Sequence, residues 1–167
     1  MRESMGGAWL LQLMIVFILL FVAFLTVSIN YTRAFRVKNE VLSFLEREEG
    51  LTNKATVAND FGGAYQLINN YLKLSGYKNK GACPIGENYK GITSLDVDNG
   101  NEYVEDGTKY YYCVKKTRTQ KNNNQAAYYD VILFFDFNLP VFGNITTYSV
   151  VGTTSVITNP ADADMWR

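Results

Sequence analysis

Histidine is absent from the chain, and cysteine and proline are scarce: of 167 residues, two are cysteine and three are proline. Without histidine there is no Ser-His-Asp or Cys-His catalytic arrangement, no histidine metal ligand and no side chain that ordinarily titrates near neutral pH. The low proline content argues against a proline-rich linker. From these absences we predict that the chain is not an enzyme of an ordinary hydrolytic or redox class.

A surplus of positive charge is also lacking, because Lys+Arg and Asp+Glu both number 16. Nucleic-acid binding requires basic side chains that neutralise phosphates, so we expect no nucleic-acid partner. Two cysteines alone make a poor metal site, and the chain carries neither a P-loop nor a dinucleotide-binding fingerprint. We therefore expect no metal and no cofactor.

A long apolar segment is the dominant feature that the sequence does contain. Residues 8–29 read AWLLQLMIVFILLFVAFLTVSI and carry no formal charge. As a helix this segment extends about 33 Å, enough to cross the hydrocarbon core of a bilayer. A cleaved secretory signal is the alternative, but it would have a shorter apolar region and a small-x-small cleavage site, which Thr26-Val27-Ser28 matches poorly. The pattern predicts a transmembrane segment at 8–29.

Helical periodicity continues beyond this segment through residues 30–50. Neither glycine nor proline occurs there before Gly50. Apolar residues recur at steps of three and four, which is typical of an amphipathic helix. The apolar stripe consists of Ala34, Val37, Val41, Leu42, Phe44 and Leu45. The sequence therefore predicts one helix of roughly 40 residues, whose second half is a stalk that packs on its own head domain and ends at Gly50.

Residues 51–160 predict a small α+β head, and residues 161–167 a frayed tail. The head begins with a second helix, for which Asn59 or Asp60 is the expected cap and Gly76 the expected stop. Its predicted buried face consists of Phe61, Ala64, Tyr65, Ile68, Tyr71 and Leu72. Asn69, Asn70 and Lys73 are expected to point away from that face.

After Gly76 the period of the pattern changes from that of a helix to the two-residue alternation of strands. The candidate strands are 92–97, 102–104, 108–116, 128–137 and 146–158, with a tight turn at 98–101. Thr117–Gln125, TRTQKNNNQ, is polar and is interpreted as an exposed loop. The predicted fold is thus α+β: a long N-terminal transmembrane helix continues into a stalk, and a small head carries one further helix and a three- or four-stranded antiparallel sheet.

Cys83 and Cys113 both follow the transmembrane segment. Outside the cytoplasm they would form a disulfide that closes a loop of about 30 residues and stabilises by roughly 3–4 kcal/mol; the alternative is two unpaired buried thiols. Arg33, Arg36 and Lys38 follow the segment directly, and the positive-inside rule would keep the head in the cytoplasm. The cysteine pair favours the opposite, and we expect a cytoplasmic N-terminus and an extracytoplasmic head.

Three polar groups suggest chemistry but have simpler structural interpretations. One is a set of possible Ca²⁺ ligands, which misses the EF-hand spacing and is better explained by a hairpin turn: Asp96, Asp98, Asn101 and Glu102. Asp130 and Asp136 stand six residues apart in a predicted strand, about 20 Å, which is too far for a carboxylate pair acting on one bond. The side chains of Tyr110–Tyr112 alternate between the two faces of a strand, so at least one is expected in the core.

The N-terminus resembles the leader of type IV pilin-like proteins. The residues MRESMGG form a short polar stretch that ends in Gly7 and is followed directly by the apolar helix. The resemblance implies that a prepilin-type membrane peptidase cuts between Gly7 and Ala8. Gln12 would become the fifth residue of the mature chain, a position where pilins usually hold a glutamate that pairs with the amino terminus of a neighbouring subunit. Gln12 keeps the size and hydrogen-bonding ability of glutamate without its charge.

Two further segments are similar to TadE-like proteins, the pseudopilin-like accessory components of tight-adherence pilus systems. They are NYTRAFRVKN at 30–39 and, near the C-terminus, FNLPVFG at 137–143 with VVGTT at 150–154. The resemblance implies a structural component of a bacterial surface pilus or secretion apparatus. Its partners would be the lipid bilayer and other pilin-like or assembly-platform proteins, contacted through the N-terminal helix. The alternative is a static, membrane-anchored extracytoplasmic binding or envelope protein without a filament role.

Overall fold

A computed structural model of the chain describes residues 3–51, 63–95, 109–121, 124–139 and 143–158. Two helices are present in these ranges, α1 (Glu3–Arg47) and α2 (Ala64–Leu74). They accompany five strands, which are β1 (Lys90–Ile92), β2 (Tyr112–Lys121), β3 (Asn124–Leu139), β4 (Gly143–Thr153) and β5 (Ile157–Thr158). This is the α+β fold predicted from the sequence.

Helix α1 is one unbroken helix of 45 residues, so the predicted transmembrane segment and stalk form a single element. No glycine or proline interrupts it between residues 8 and 47, and those are the residues that most often break or kink helices. The helix ends where Glu49 and Gly50 adopt positive φ angles of 55° and 131°. The Gly50 N–H then donates to the Leu45 carbonyl at 2.9 Å, which confirms Gly50 as the stop.

The sheet is antiparallel throughout, in the order β1-β2-β3-β4, and β5 also pairs with β3. β4 and β5 follow the same edge of β3, because Thr153 lies opposite Asp130 and Ile157 opposite Ala127. Between them the Thr154 N–H donates to the Tyr129 carbonyl, and the Thr154 hydroxyl accepts from the Tyr129 N–H, both at 3.0 Å. The strand predicted over 146–158 is therefore two strands, with a side-chain hydrogen bond in the gap.

The main core lies between one face of the sheet and the two helices. From α1 it receives four residues of the predicted apolar stripe, namely Ala34, Val37, Val41 and Leu45, while Leu42 and Phe44 pack at its margin. From the sheet it receives alternate residues of each strand, among them Tyr112, Val114, Tyr129, Val131, Leu133 and Phe135. Residue 152 faces α1, and a Cβ there would stand 2.8 Å from Leu42 Cδ1. Glycine at this position lets α1 lie close to β4.

The opposite face of the sheet carries a smaller core that the segment after α2 covers. Cys113, Ile132 and Phe134 are buried there, and Cys83 and Tyr89 pack on them. Cys83 and Cys113 form a disulfide with an S–S distance of 2.03 Å, as predicted. The disulfide fastens this covering segment to β2.

Two details of the prediction were wrong. Asn69 is fully buried: its Oδ1 accepts a hydrogen bond of 2.9 Å from the Tyr112 hydroxyl, which offsets part of the cost of burying the amide, whereas its Nδ2 has no partner among the described residues. The described residues of the predicted loop, Thr117–Lys121 and Asn124–Gln125, lie instead in β2 and β3, which remain paired as far as Lys121 and Asn124. The pairing consists of backbone hydrogen bonds, which form whether the side chains are polar or apolar.

Some element boundaries also differ from the prediction. β1 covers Lys90–Ile92 rather than 92–97, and α2 starts after Gly63 without a side-chain cap. Gly76 ends α2 as predicted, with a φ of 69° and with the Tyr77 N–H donating to the Leu72 carbonyl at 2.9 Å. Several predicted features lie outside the described residues: the caps Asn59 and Asp60, Phe61, the turn at 98–101 with its candidate calcium ligands, the strand at 102–104 and the tail.

Candidate functional site: the membrane helix and its junction with the head

The N-terminal half of α1 exposes an extended apolar surface. Every large apolar side chain from Trp9 to Ile29 is exposed, from 36% for Val27 to 77% for Trp9. By length and composition this is a helix able to cross a membrane. Thr26 does not break the apolar character, because its hydroxyl donates to the Val22 carbonyl at 2.9 Å within the helix. This surface requires either lipid or other apolar helices around it.

The residues predicted for processing and packing lie at the start of this surface. Gly7, Ala8 and Gln12 are all helical and exposed. A Cβ placed on Gly7 would meet no described atom within 4 Å, so no steric demand in the described fold requires glycine there. Gln12 lies one turn beyond Ala8 among exposed apolar neighbours, and its amide would need a hydrogen-bonding partner within a bilayer. The fold brings these three residues together on α1 but not with the head.

Aromatic and basic side chains mark the point where α1 leaves the apolar segment. The rings of Tyr31 and Phe35 lie 4.5 Å apart, and Lys38 Nζ stands 4.6 Å from the centre of the Phe35 ring. Arg33 and Arg36 occupy the neighbouring exposed positions. Aromatic and basic residues are favoured at the level of lipid headgroups. If α1 crosses a membrane, this composition places the boundary near residue 30.

The head touches α1 immediately above this boundary. Arg33 Nη2 donates to the Ser75 carbonyl at 3.1 Å, which links α1 to the last turn of α2. A cleft of about 190 Å³ opens beside this bond. Its lining includes Asn30 and Arg33 from α1, Gly76 and Lys78 from the segment after α2, and Asp136 and Tyr148 from the sheet. The cleft therefore brings together basic, acidic and neutral polar groups from three parts of the fold.

Asp136, one of the residues that line this cleft, is held in a defined orientation. One carboxylate oxygen accepts from the Thr147 hydroxyl at 2.7 Å. When the Asn79 amide is oriented so that both of its groups are satisfied, its nitrogen donates to the other oxygen at 3.1 Å and its own oxygen accepts from the Asp136 N–H at 3.1 Å. A carboxylate has about four lone-pair sites, so each oxygen of Asp136 can accept a further hydrogen bond. Asp136 is thus an oriented anion with remaining acceptor capacity.

The other candidates from the sequence have structural roles. Asp130 accepts a hydrogen bond of 2.6 Å from Thr153 across the strand pair. Tyr110 and Tyr112 are buried, whereas the ring of Tyr111 lies 4.2 Å from Lys80 Nζ. Among the described residues no cluster of three or more Asp, Glu, Cys or His side chains has the geometry to hold a metal ion.

Sequence reasoning did not find the cleft. Arg33 and Ser75 are 42 positions apart, and no local pattern indicates that α2 ends against the base of α1. The available indication was the arginine at the end of an apolar span, a residue that commonly contacts the membrane surface. Comparison of the chain with protein-family models, with curated proteins and with solved structures finds no match in any of the three.

Proposed function

We propose that the chain is a pseudopilin-like or TadE-like structural component of a bacterial surface pilus or secretion apparatus, anchored by α1. The observation that carries the proposal is the two-part use of a single helix. The half from Trp9 to Ile29 exposes only the surface needed for lipid or for neighbouring helices, whereas the half from Ala34 to Leu45 belongs to the core of the head. A subunit built this way transmits position and force, and the proposed role is mechanical rather than catalytic.

The proposed topology places the N-terminus in the cytoplasm and the head outside. The disulfide between Cys83 and Cys113 supports this orientation, because such bonds persist in oxidising compartments and are rare in the cytoplasm. Alkylation of cells under denaturing conditions, followed by mass measurement, should find both cysteines blocked by the disulfide. Two alkylated thiols would contradict an extracytoplasmic head.

The proposal is tested by the start of the mature chain. Intact mass and N-terminal sequencing of the protein from its native membrane should give a chain that begins at Ala8. A chain that retains Met1 would contradict processing by a prepilin-type peptidase. A chain that begins near Ile29 would show that the apolar segment is a cleaved signal rather than an anchor.

A pair of glycine variants separates specific processing from general damage to the leader. Gly7→Val should block maturation, because the predicted cut follows Gly7 directly. Gly6→Val changes the preceding residue in the same way and should leave the mature N-terminus at Ala8. Gly7 has free space around its Cβ position, so loss of maturation in Gly7→Val would not arise from misfolding of the described structure. Normal maturation of Gly7→Val would count against the proposal.

A static, membrane-anchored binding or envelope protein is the second candidate, and Gln12 favours it. The glutamate usual at this position in pilins pairs with a neighbouring amino terminus, and a neutral amide cannot neutralise a buried ammonium. Gln12 instead offers hydrogen bonds to another helix in the bilayer. Retention of Met1 to Gly7, together with the absence of pilus-assembly proteins among crosslinked partners, would establish this alternative over the first.

A further inference from the structure

The depth of the head relative to the membrane follows from the geometry of α1. Ile29 ends the apolar segment, and Arg33 lies four residues farther along, about 6 Å along the helix axis. The polar headgroup layer extends roughly 5–8 Å beyond the hydrocarbon core on each side of a bilayer. If α1 spans the membrane, Arg33 lies at the depth of the lipid headgroups.

The hydrogen bond between Arg33 and Ser75 brings the end of α2 to the same depth. Leu74, the residue before Ser75, is 89% exposed, although it is a large apolar side chain at the end of an amphipathic helix. An exposed leucine is well placed at a membrane surface, where its side chain can enter the apolar layer. The base of the head therefore faces the bilayer with both apolar and basic groups.

Two concave surfaces meet at Arg33. One is the polar cleft of about 190 Å³ with Lys78 and Asp136 in its lining. The other is a shallow groove along α1 formed by Leu25, Ser28, Ile29, Thr32, Arg33 and Arg36. The groove is apolar toward the membrane centre and basic toward the head. At Arg33, which lines both, a polar surface and an apolar surface lie side by side, as a molecule with a charged head and an apolar chain requires.

We propose that this junction binds one phospholipid with a zwitterionic headgroup, whose phosphate contacts Arg33 and Lys78 and whose ammonium contacts Asp136. Guanidinium and ammonium groups form charge-assisted hydrogen bonds with phosphate oxygens. The oriented carboxylate of Asp136 has acceptor capacity left for a primary ammonium. The acyl chain then follows the groove past Ile29 and Leu25. This proposal depends on membrane insertion of α1 and not on a role in a pilus.

The experiment uses the full chain in detergent micelles, titrated with phosphatidylethanolamine, phosphatidylglycerol or phosphatidylcholine and measured by native mass spectrometry. Phosphatidylethanolamine should bind most tightly. Lys78→Gln and Arg33→Gln should each weaken binding of phosphatidylethanolamine and phosphatidylglycerol by about tenfold, the effect of one lost charge-assisted hydrogen bond. Asp136→Asn should remove the preference for phosphatidylethanolamine over phosphatidylcholine and leave phosphatidylglycerol binding in place.

Arg47→Gln is the matched control, because Arg47 is an exposed arginine on the same helix about 21 Å farther from the membrane. Binding by this variant should equal that of the wild type. Lys78 is exposed in the segment after α2, so Lys78→Gln remains informative even if Arg33→Gln loosens the contact with Ser75. Unchanged affinity in Lys78→Gln and Asp136→Asn would overturn the proposal. Equal binding of free phosphoethanolamine and of the lipid would also overturn it, since the ligand would then be a soluble phosphate compound.

Discussion

The hydroxyl oxygen of Tyr77 lies 2.7 Å from the backbone nitrogen of Phe134 and 2.7 Å from its carbonyl oxygen. β2 begins at Tyr112, opposite Leu133, so Phe134 stands one residue beyond the end of that pairing. The hydroxyl accepts from the Phe134 N–H, and its single proton is shared between the carbonyl oxygens of Phe134 and Tyr111, at 2.7 Å and 3.0 Å. These hydrogen bonds replace part of what a longer β2 would supply at this position. One side chain from the segment after α2 thus completes the edge of β3.

We expect Tyr77→Phe to lower the free energy of unfolding of the head by about 1–3 kcal/mol, because the buried backbone groups of Phe134 lose their partner. Denaturant unfolding of the full chain in detergent measures this change. Tyr89→Phe is the control, since it also removes one hydroxyl but keeps the ring that faces Lys115, and it should cost less. Equal stability of the two variants would contradict the role assigned to the Tyr77 hydroxyl.

Alkaline pH should destabilise the head. Burial raises the pKa of Tyr129 to about 12, and burial also raises the pKa of Tyr77. Both groups contribute full stability below the unfolded pKa of about 10. Above it the unfolded state loses its protons first, so stability falls as pH rises through 10 toward the folded pKa. In this window each tyrosine should lower the free energy of unfolding by on the order of 1 kcal/mol per pH unit.

Denaturant unfolding between pH 9 and pH 11.5 measures that slope. Tyr129→Phe removes one of the two groups, so its stability should depend less steeply on pH than that of the wild type. A slope that is identical in the two proteins would show that Tyr129 titrates normally in the folded state.

Removal of the disulfide should destabilise the head strongly. Cys83 and Cys113 are 30 positions apart, and a crosslink across a loop of this length restricts the unfolded chain. Replacement of both by serine should lower the free energy of unfolding by roughly 3–4 kcal/mol. Addition of reductant should change the stability of the wild type by a similar amount and leave the double variant unchanged. An effect of reductant on the double variant would point to another cause.

Two glycines should respond differently to the same added methyl group. A Cβ at residue 81 would stand 2.2 Å from the Phe134 ring, whereas at residue 152 it would stand 2.8 Å from the mobile end of Leu42. A buried ring cannot move aside as a leucine methyl can, so Gly81→Ala should cost about 1–3 kcal/mol and Gly152→Ala less. Thermal unfolding of the two variants makes the comparison. A larger loss in Gly152→Ala would mean that the contact between α1 and β4 is the tighter of the two.

The elements that could be predicted are those whose sequence pattern matches a burial pattern. The apolar stripe from Ala34 to Leu45 and the alternation within β3 correspond directly to one buried face, since each has the period of its own secondary structure. The burial of Asn69 could not be predicted, because a polar side chain is expected to face solvent unless a hydrogen-bonding partner in the core is known. That partner, Tyr112, is 43 positions away in the sequence. The part of β2 at Thr117–Lys121 is held by backbone pairing with β3, and such pairing produces no alternation of polar and apolar residues that the sequence would reveal.

The junction of α1 with the head was unpredictable for the same reason. Arg33 could be assigned to a membrane boundary from its position in the sequence, but its neighbours Ser75, Lys78 and Asp136 belong to distant segments. Only the way in which α2 ends against α1 brings them together. The disulfide, in contrast, could be predicted from the sequence alone, because the two cysteines both follow the apolar segment.

Because α1 is unbroken, any tilt of its apolar half also tilts the half that packs in the head. From Ile29 to Arg47 the helix rises about 27 Å, and four of its residues are fixed in the head's core. A tilt of about 20° within a bilayer would therefore displace the C-terminal end of α1 sideways by about 9 Å. If α1 crosses a bilayer, the bilayer thickness that governs the tilt of such helices would also set the lateral position of the head.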